Sequence, residues 1–278
     1  MRNQFTLPGR VCVVITMALL SALMLLPLVW LLSVSIQRSG DVFAVPPPIL
    51  PSDPTFDHYA YVWSAGGVQG FFLNSVIVAV GTVVANVGCA TLAGFALARL
   101  PFRGRQAAFG TVLATMLVPF PSIMLSLFVV AKNLGLYGSL VGVVAPLAAA
   151  YAWLTVYIMK EAFAALPVEL EEAAHLDGCS PLTTFLHVML PLVKAPMATS
   201  AILVFTLTWS EFLWPLLVLR LPEDFTITIG LQYFMSALTG NWHNIAAVAI
   251  LASAPTITVF LLLQRYFFSG HLTGATKG

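Results

Sequence analysis

A chain of 278 residues in which 59% are hydrophobic and 8% charged is not a soluble domain, where about a quarter of residues carry charge. The formal net charge of +1 leaves no basic surface for nucleic acid. Three cysteines, Cys12, Cys89 and Cys179, are too few and too scattered for a disulfide framework or a metal site, and are expected as free thiols.

A helix needs about 20 apolar residues to cross a bilayer, and runs of that kind recur along the chain. They predict six transmembrane spans: Val11–Ile36, Phe71–Ala98, Ala107–Ala131, Leu140–Lys160, Met197–Leu219 and Ile245–Phe268. The predicted fold is therefore all-α, a single polytopic membrane domain over residues 1–278. The first run, with Pro27 as an expected kink, is far longer than a signal-peptide core, and no small-x-small cleavage site follows it. Segment Gln37–Gly70 contains Pro46, Pro47, Pro48, Pro51 and Pro54. It reads as an extended linker with Tyr59, Tyr61 and Trp63 as interfacial anchors; a docking surface for a soluble partner is the alternative.

Along the second span, Gly81, Ala85 and Gly88, then Ala90, Gly94 and Ala98, recur at helical spacing and predict close helix packing. Asn86 reads as an interhelical hydrogen bond. Pro119, Pro121, Pro146, Pro215 and Pro255 predict kinks, tolerated where neighbours satisfy the carbonyls that proline leaves free. Orientation follows Lys and Arg. With the N-terminus inside, Arg2, Arg10, Arg99, Arg103, Arg105, Lys160, Lys194, Arg265 and Lys277 are cytoplasmic, and only Arg38, Lys132 and Arg220 lie outside. Both termini are then cytoplasmic.

The loop between spans four and five, residues 161–195, carries the most information. Leu166-Pro167 is expected to open a short helix with Pro at its first position and Glu169, Glu171 and Glu172 in its early turns. Leu170, Ala173 and Ala174 predict one narrow apolar face. Asp177-Gly178 ends that helix in a left-handed turn. Ser180-Pro181 starts a second helix as cap and first residue, Leu182, Phe185, Leu186 and Met189 form a stripe, and Leu190-Pro191 stops it. Such a pair of helices either lies on lipid headgroups or fills a groove on a partner protein.

Glu211 is the one carboxylate well inside a span, where a charge costs at least about 2.5 kcal/mol. Two readings stand: a solute or gate contact with Trp209 and Trp214 stacking on sugar rings, or a satisfied structural carboxylate that pins span five. His58, His175, His187, His243 and His271 have no metal-ligand spacing and are expected at surfaces.

Glu172-Ala173-Ala174, three residues, Gly178, nine residues, then Val188-Met189-Leu190-Pro191 resembles the EAA motif of bacterial ABC importer permeases. Val188 stands where Ile is usual and Cys179 where Ala is common. Similarity to the maltose-type carbohydrate branch extends to Asn74-Ser75, Ala98-Arg99-Leu100, Gly135-Leu136, Trp209-Ser210-Glu211-Phe212, Pro215 and Gly274 to Gly278, although many relatives carry Asn at Ser210. The resemblance implies a type I importer permease fold with a core over about residues 70–268 in a bacterial cytoplasmic membrane. It implies a second homologous permease, an ATPase dimer, an extracytoplasmic solute-binding protein and a sugar-like solute. Glu172, Ala173, Ala174, Asp177, Gly178, Leu190 and Pro191 would form the ATPase-docking loop. No phosphate-binding loop of the G-x-x-x-x-G-K-[ST] kind is present, so ATP belongs to the partner subunits and no cofactor or enzymatic activity is expected. An ion-coupled carrier would call for paired repeats or several buried carboxylates, and an intramembrane enzyme for a nucleophile and base or a metal cluster; neither stands out. Disaccharides, amino sugars and glycerol-phosphate compounds all remain candidate solutes.

Overall fold

The computed structural model describes residues 7–40, 42, 50–51, 53–64, 66–237 and 241–272, without the side chains of 7, 8, 10, 237 and 265–272. Arg2, Lys277, Pro46 to Pro48 and Gly274 to Gly278, with the side chains of Arg10, Arg265 and His271, lie outside the described residues. Fourteen helices can be named in chain order. The first seven are α1 (Leu7–Ile36), α2 (Asp57–Trp63), α3 (Val68–Arg99), α4 (Arg105–Ala114), α5 (Phe120–Asn133), α6 (Leu140–Ala150) and α7 (Ala152–Ala164). They are followed by α8 (Glu169–Leu176), α9 (Pro181–Thr184), α10 (Leu190–Leu192), α11 (Lys194–Trp209), α12 (Leu213–Val218), α13 (Ile227–Ala237) and α14 (Trp242–Leu272). The one extended pairing among the described residues is a bridge between Gln37 and Pro54.

Three apolar helices are each long enough to span a bilayer, over Val11–Ile36, Val68–Arg99 and Trp242–Gln264, and three bent pairs bring the count to as many as six. Spans three to five, where prolines predict kinks, are each a bent or broken pair of helices. Helix α4 and its terminal 3-10 turn meet α5 at 104°. The cause is Pro119: a residue before proline is driven out of the helical region, and Val118 has φ −97°, ψ 109°. Helices α6 and α7 bend by 50° at Tyr151, and α11 stops at Trp209 rather than running to Leu219. By contrast, Pro27, Pro146 and Pro255 sit inside continuous helices.

Pro146 illustrates how such a residue is tolerated. It cannot donate to the carbonyl four residues back, Gly142, and the indole Nε1 of fully buried Trp214 donates to that oxygen at 3.2 Å. Without it, a buried acceptor would stand unsatisfied at about 1–3 kcal/mol.

Packing divides the chain into two compact units, Met1–Gln69 with Leu231–Ser253, and Gly70–Gly230 with Ala254–Gly278. In the first unit, Val34, Val42 and Ala246 form a small core against Trp30 and Leu31. Most of α1 displays apolar side chains outward, with Val14, Leu19 and Met24 each more than 60% exposed, as a surface facing lipid or another membrane helix does. The segment expected as a linker instead contains α2, whose Tyr59 hydroxyl lies 2.6 Å from Ser35 Oγ. His58 and His243, expected separately at the surface, stack with ring centres 5.3 Å apart. The nitrogens of His58 lie 2.9 Å from Asn244 Oδ1 and 3.0 Å from the Gln37 carbonyl. Exposed Arg38 pairs with Asp53 at 3.0 Å, a contact worth at most about 1 kcal/mol.

Two cores lie in the second unit among the described residues. One gathers Val78, Met124, Val143, Leu147, Trp214 and Val218; the other gathers Ala90, Phe95, Met159, Phe163, Phe185 and Met189. Small residues decide how closely α3 and α7 approach. A Cβ on Gly94 would fall 2.7 Å from Met159 Cβ and 2.8 Å from Lys160 N. The second small-residue set of α3 therefore faces a neighbour, with Ala90 buried beside Gly94. The first set does so only at Gly81, near Val144, because Ala85 and Gly88 are exposed. Asn86 makes the interhelical bond expected of it, its Nδ2 donating to the Ala148 carbonyl at 2.7 Å. Asn74 and Ser75 also acquire a role. Asn74 Nδ2 donates to the carbonyls of Glu223 and Phe225, and Ser75 Oγ accepts from Ile227 N, which ties the start of α3 to the turn before α13.

Candidate functional site

The segment from Leu166 to Leu192 is built from local rules. Helix α8 begins at Glu169, two residues later than a Pro167 start would give, with Val168 as its N-cap residue. Its end is a Schellman motif: Cys179 N donates to Ala174 O at 2.9 Å and Gly178 N to His175 O at 3.0 Å. Gly178 adopts φ +79° with open space where a side chain would stand. Ser180 then caps α9 by accepting from Thr183 N at 3.2 Å, and Pro181 follows as its first residue.

Two details differ from the sequence reading. The second helix passes through a π-turn over Phe185–Met189 and continues to Leu192, so Leu190-Pro191 does not stop it. The wider turn accommodates Pro191, which lacks the N–H of a regular turn. The predicted stripe is not one buried face: Phe185 and Met189 are buried while Leu182 and Leu186 are exposed. The end of the segment is instead a 74° bend into α11 after Val193. Likewise the small-residue face of α8 is split. Ala174 turns inward and is buried, whereas Glu172, Ala173 and Leu176 face outward, Leu176 being 88% exposed.

Arg99, the last residue of α3, holds this segment in place. Its Nε and Nη2 donate to the Phe163 carbonyl at 3.1 and 2.6 Å, and Nη2 also donates to the Leu166 carbonyl. The same guanidinium pairs with Glu171 of α8 at 3.1 Å, with its side chain 9% exposed. Beside this clamp lies a groove of about 380 Å³, bordered by Phe95, Leu100, Glu171, Glu172, His175 and Cys179.

The other candidate residues surround the break in span five. Glu211 lies in the non-helical segment between α11 and α12, half-buried, and its Oε1 accepts from Trp214 N at 3.1 Å. That contact satisfies a free donor at the start of α12, as a capping side chain does. The Tyr151 phenol at the α6–α7 bend faces the same carboxylate, and Thr228 Oγ1 donates to the Glu211 carbonyl at 2.9 Å. Both indoles are buried. Trp209 packs against Phe72 and Phe205, with centroids 5.7 and 5.5 Å away, and Trp214 against Phe120 at 6.0 Å. The expectation that Trp209 and Trp214 stack on sugar rings is therefore corrected, because the protein interior already occupies their faces. Exposed Ser210 is the open position at this break.

Residues 90–270 match the sequence profile of the binding-protein-dependent transport system inner membrane component. This chain belongs to that family. The permease is 33% identical over 272 residues to the arabinooligosaccharides transport system permease protein AraQ of Bacillus subtilis, covering 97% of this chain and 96% of the relative. It is 30% identical over 267 residues to the galactooligosaccharides transport system permease protein GanQ of the same organism, covering 94% and 93%. Its fold matches a bacterial ABC transporter involved in import of the acidic polysaccharide alginate, with a TM-score of 0.79 over 95% of this chain and 99% of that one, at 23% identity. The permease thus has the all-α, multi-pass type I importer fold, and its family transports rather than catalyses.

Sequence reasoning missed two features of the permease loop. Leu176 lies three residues after Ala173 and four after Glu172, so helical spacing alone would have grouped the three. The Arg99 clamp left no such signal, since its partners lie 64 and more residues away. For Glu211 the geometry yields a ranked expectation. Glu211→Gln keeps an acceptor for Trp214 N and lowers the yield and detergent melting temperature of the permease only slightly. Glu211→Leu leaves a helix-start donor without a partner and costs about 1–3 kcal/mol. Equal stability of the two variants would refute the capping role.

Proposed function

We propose that this permease pairs with a second, homologous one to form the pathway of an ATP-driven importer of oligosaccharides, receiving solute from an extracytoplasmic binding protein. Separate ATPase subunits bind the nucleotide, and α8 docks into a cleft on one of them. The observation that carries this reading is the outward face of α8: Glu172, Ala173 and Leu176 project from a helix ended at Gly178. An exposed leucine beside a small residue and a carboxylate fits a partner groove with an apolar floor and a cationic rim. Asp177 caps the helix C-terminus, and Leu190-Pro191, in the turn that leads into α11, carries displacement of α8 to the membrane spans. The oligosaccharide class is supported by what the arabinooligosaccharide and galactooligosaccharide relatives are named for. At the break in span five, Ser210 and Glu211 border the solute path, where irregular backbone at membrane depth lines a cavity rather than lipid. Trp209 and Trp214 buttress that break from behind.

The test is transport by the complex of both permeases, the ATPase and the binding protein in proteoliposomes. Uptake of labelled arabino- or galacto-oligosaccharide is expected to require the binding protein outside and ATP on the ATPase side. Uptake driven by an ion gradient without ATP would overturn the reading.

Orientation is part of the proposal: the membrane is the bacterial cytoplasmic membrane, and both ends of the chain are inside. In a background with Cys12, Cys89 and Cys179 replaced by Ser, single cysteines at Leu50 and Asn241 should react with an impermeant maleimide in intact spheroplasts. Single cysteines at Arg103 and Glu169 should react only after lysis. The reverse pattern would invert the topology.

A further inference from the structure

We infer that Arg99 is a positioning residue that makes the docking helix α8 move as one body with the inner ends of α3 and α7. The inference rests on the docking reading of α8 given above. One guanidinium joins three elements: it belongs to the last turn of α3, donates to the Phe163 and Leu166 carbonyls at the end of α7, and pairs with Glu171 of α8. Phe163 O, among the last carbonyls of α7, accepts Leu166 N at 3.2 Å from beyond the helix and takes the guanidinium as a further donor, and a cation there also complements the helix dipole. Arginine suits this position because its planar fork serves several acceptors at once, whereas lysine offers a single point of charge.

The rest of the junction contributes less to this coupling. Helix α8 is only eight residues long, and its apolar contribution to the neighbouring core is small, Ala174 being its one buried side chain. A short helix held by one small apolar side chain would swing independently of the spans when pushed. The ion pair to Glu171, with the arginine side chain 9% exposed, removes that freedom. Opposite charges 3.1 Å apart attract strongly where the arginine is shielded from water, so displacement of α8 draws Arg99, and with it α3 and α7, along the same path. The groove of about 380 Å³ bordered by Glu171 and Cys179 opens if the clamp releases.

The experiment uses the assembled transporter carrying Cys12→Ser and Cys89→Ser, so that Cys179 is the only thiol of this subunit. Arg99→Lys, Arg99→Gln, Glu171→Gln and the Arg99→Gln/Glu171→Gln double variant are compared for retained ATPase, solute transported per ATP hydrolysed, and the maleimide labelling rate of Cys179. The ATPase remains bound, because the outward face of α8 is untouched. Transport per ATP falls about tenfold in Arg99→Gln and Cys179 labels about tenfold faster, the scale of losing one hydrogen bond to a charged group. Arg99→Lys recovers part of both, and the double variant is no worse than Arg99→Gln, because the two residues act as one contact. If Arg99→Gln does not assemble, Glu171→Gln, whose residue is partly exposed, decides. Glu171→Gln with parental coupling and parental Cys179 labelling would overturn the clamp while leaving the docking reading intact. Failure of the parent complex to retain any ATPase would instead remove the docking reading, and the clamp with it.

Discussion

Replacing Gly178 with Val, or Ala173 with Trp, is expected to abolish solute-stimulated ATP hydrolysis and transport while the permease still inserts and pairs. The two substitutions reach this outcome differently. Gly178 has φ +79°, and nothing lies within 4 Å of where its side chain would stand, so the penalty for Val is conformational. A left-handed L-residue costs about 1–2 kcal/mol, more for a β-branched one. The Schellman bonds of Cys179 and Gly178 to α8 depend on that conformation, so the helix loses its defined end and its angle to α9. Asn tolerates the left-handed region better, and Gly178→Asn is expected to retain more coupling than Gly178→Ala, and Ala more than Val. Ala173 is exposed, so Trp there disturbs nothing within the chain, and under the proposed docking it is expected to act by holding α8 out of a partner's cleft. The measurement is ATPase retention and stimulated hydrolysis in the purified complex. Full retention and hydrolysis in both Gly178→Val and Ala173→Trp would refute the docking role of α8.

Gly94→Leu is expected to prevent stable folding. Even its Cβ would sit 2.7 Å from Met159 Cβ and 2.8 Å from the Lys160 and Met159 backbone, and backbone cannot swing aside as a flexible side chain can. Helices α3 and α7 would have to separate, uncovering Met159 and Phe163, both fully buried in the parent. Overpacking costs about 1–3 kcal/mol where side chains can yield, and this contact exceeds that range. The control is Gly88→Leu on the same helix, where nothing lies within 4 Å. Gly94→Leu should reduce the yield of folded protein and its detergent melting temperature sharply, and Gly88→Leu should leave both near the parent value. Similar yields for the two would show that the α3–α7 approach is not as close as described.

Both predictions depend on glycine, but the sequence specified them unequally: it located the turn at Gly178, and marked Gly94 only within one of two small-residue sets expected to pack. Gly178 follows an acidic, alanine-rich turn and precedes Ser180-Pro181, and that order of residues determines a helix stop and restart without reference to the rest of the chain. The six apolar runs, the EAA spacing and the interhelical role of Asn86 were legible for a related reason: each depends on residue type and local separation. The break at Val118 also belongs here, because proline restricts the residue before it wherever the segment lies.

Tertiary structure alone decided which faces meet. In water the apolar side of a helix marks the inside, but lipid is as apolar as a protein core, so a span that is apolar all round does not announce which side packs. That is why Ala90 and Gly94 pack while Ala85 and Gly88 do not, and why Trp209 and Trp214 turned out to be buried rather than open to solute. The same holds for polar contacts between distant residues. Trp214 fills the carbonyl that Pro146 leaves free, and Arg99 binds Phe163, Leu166 and Glu171. In each case the sequence determined that a donor or acceptor would need a partner, and only the packing of the helices determined which residue supplied it.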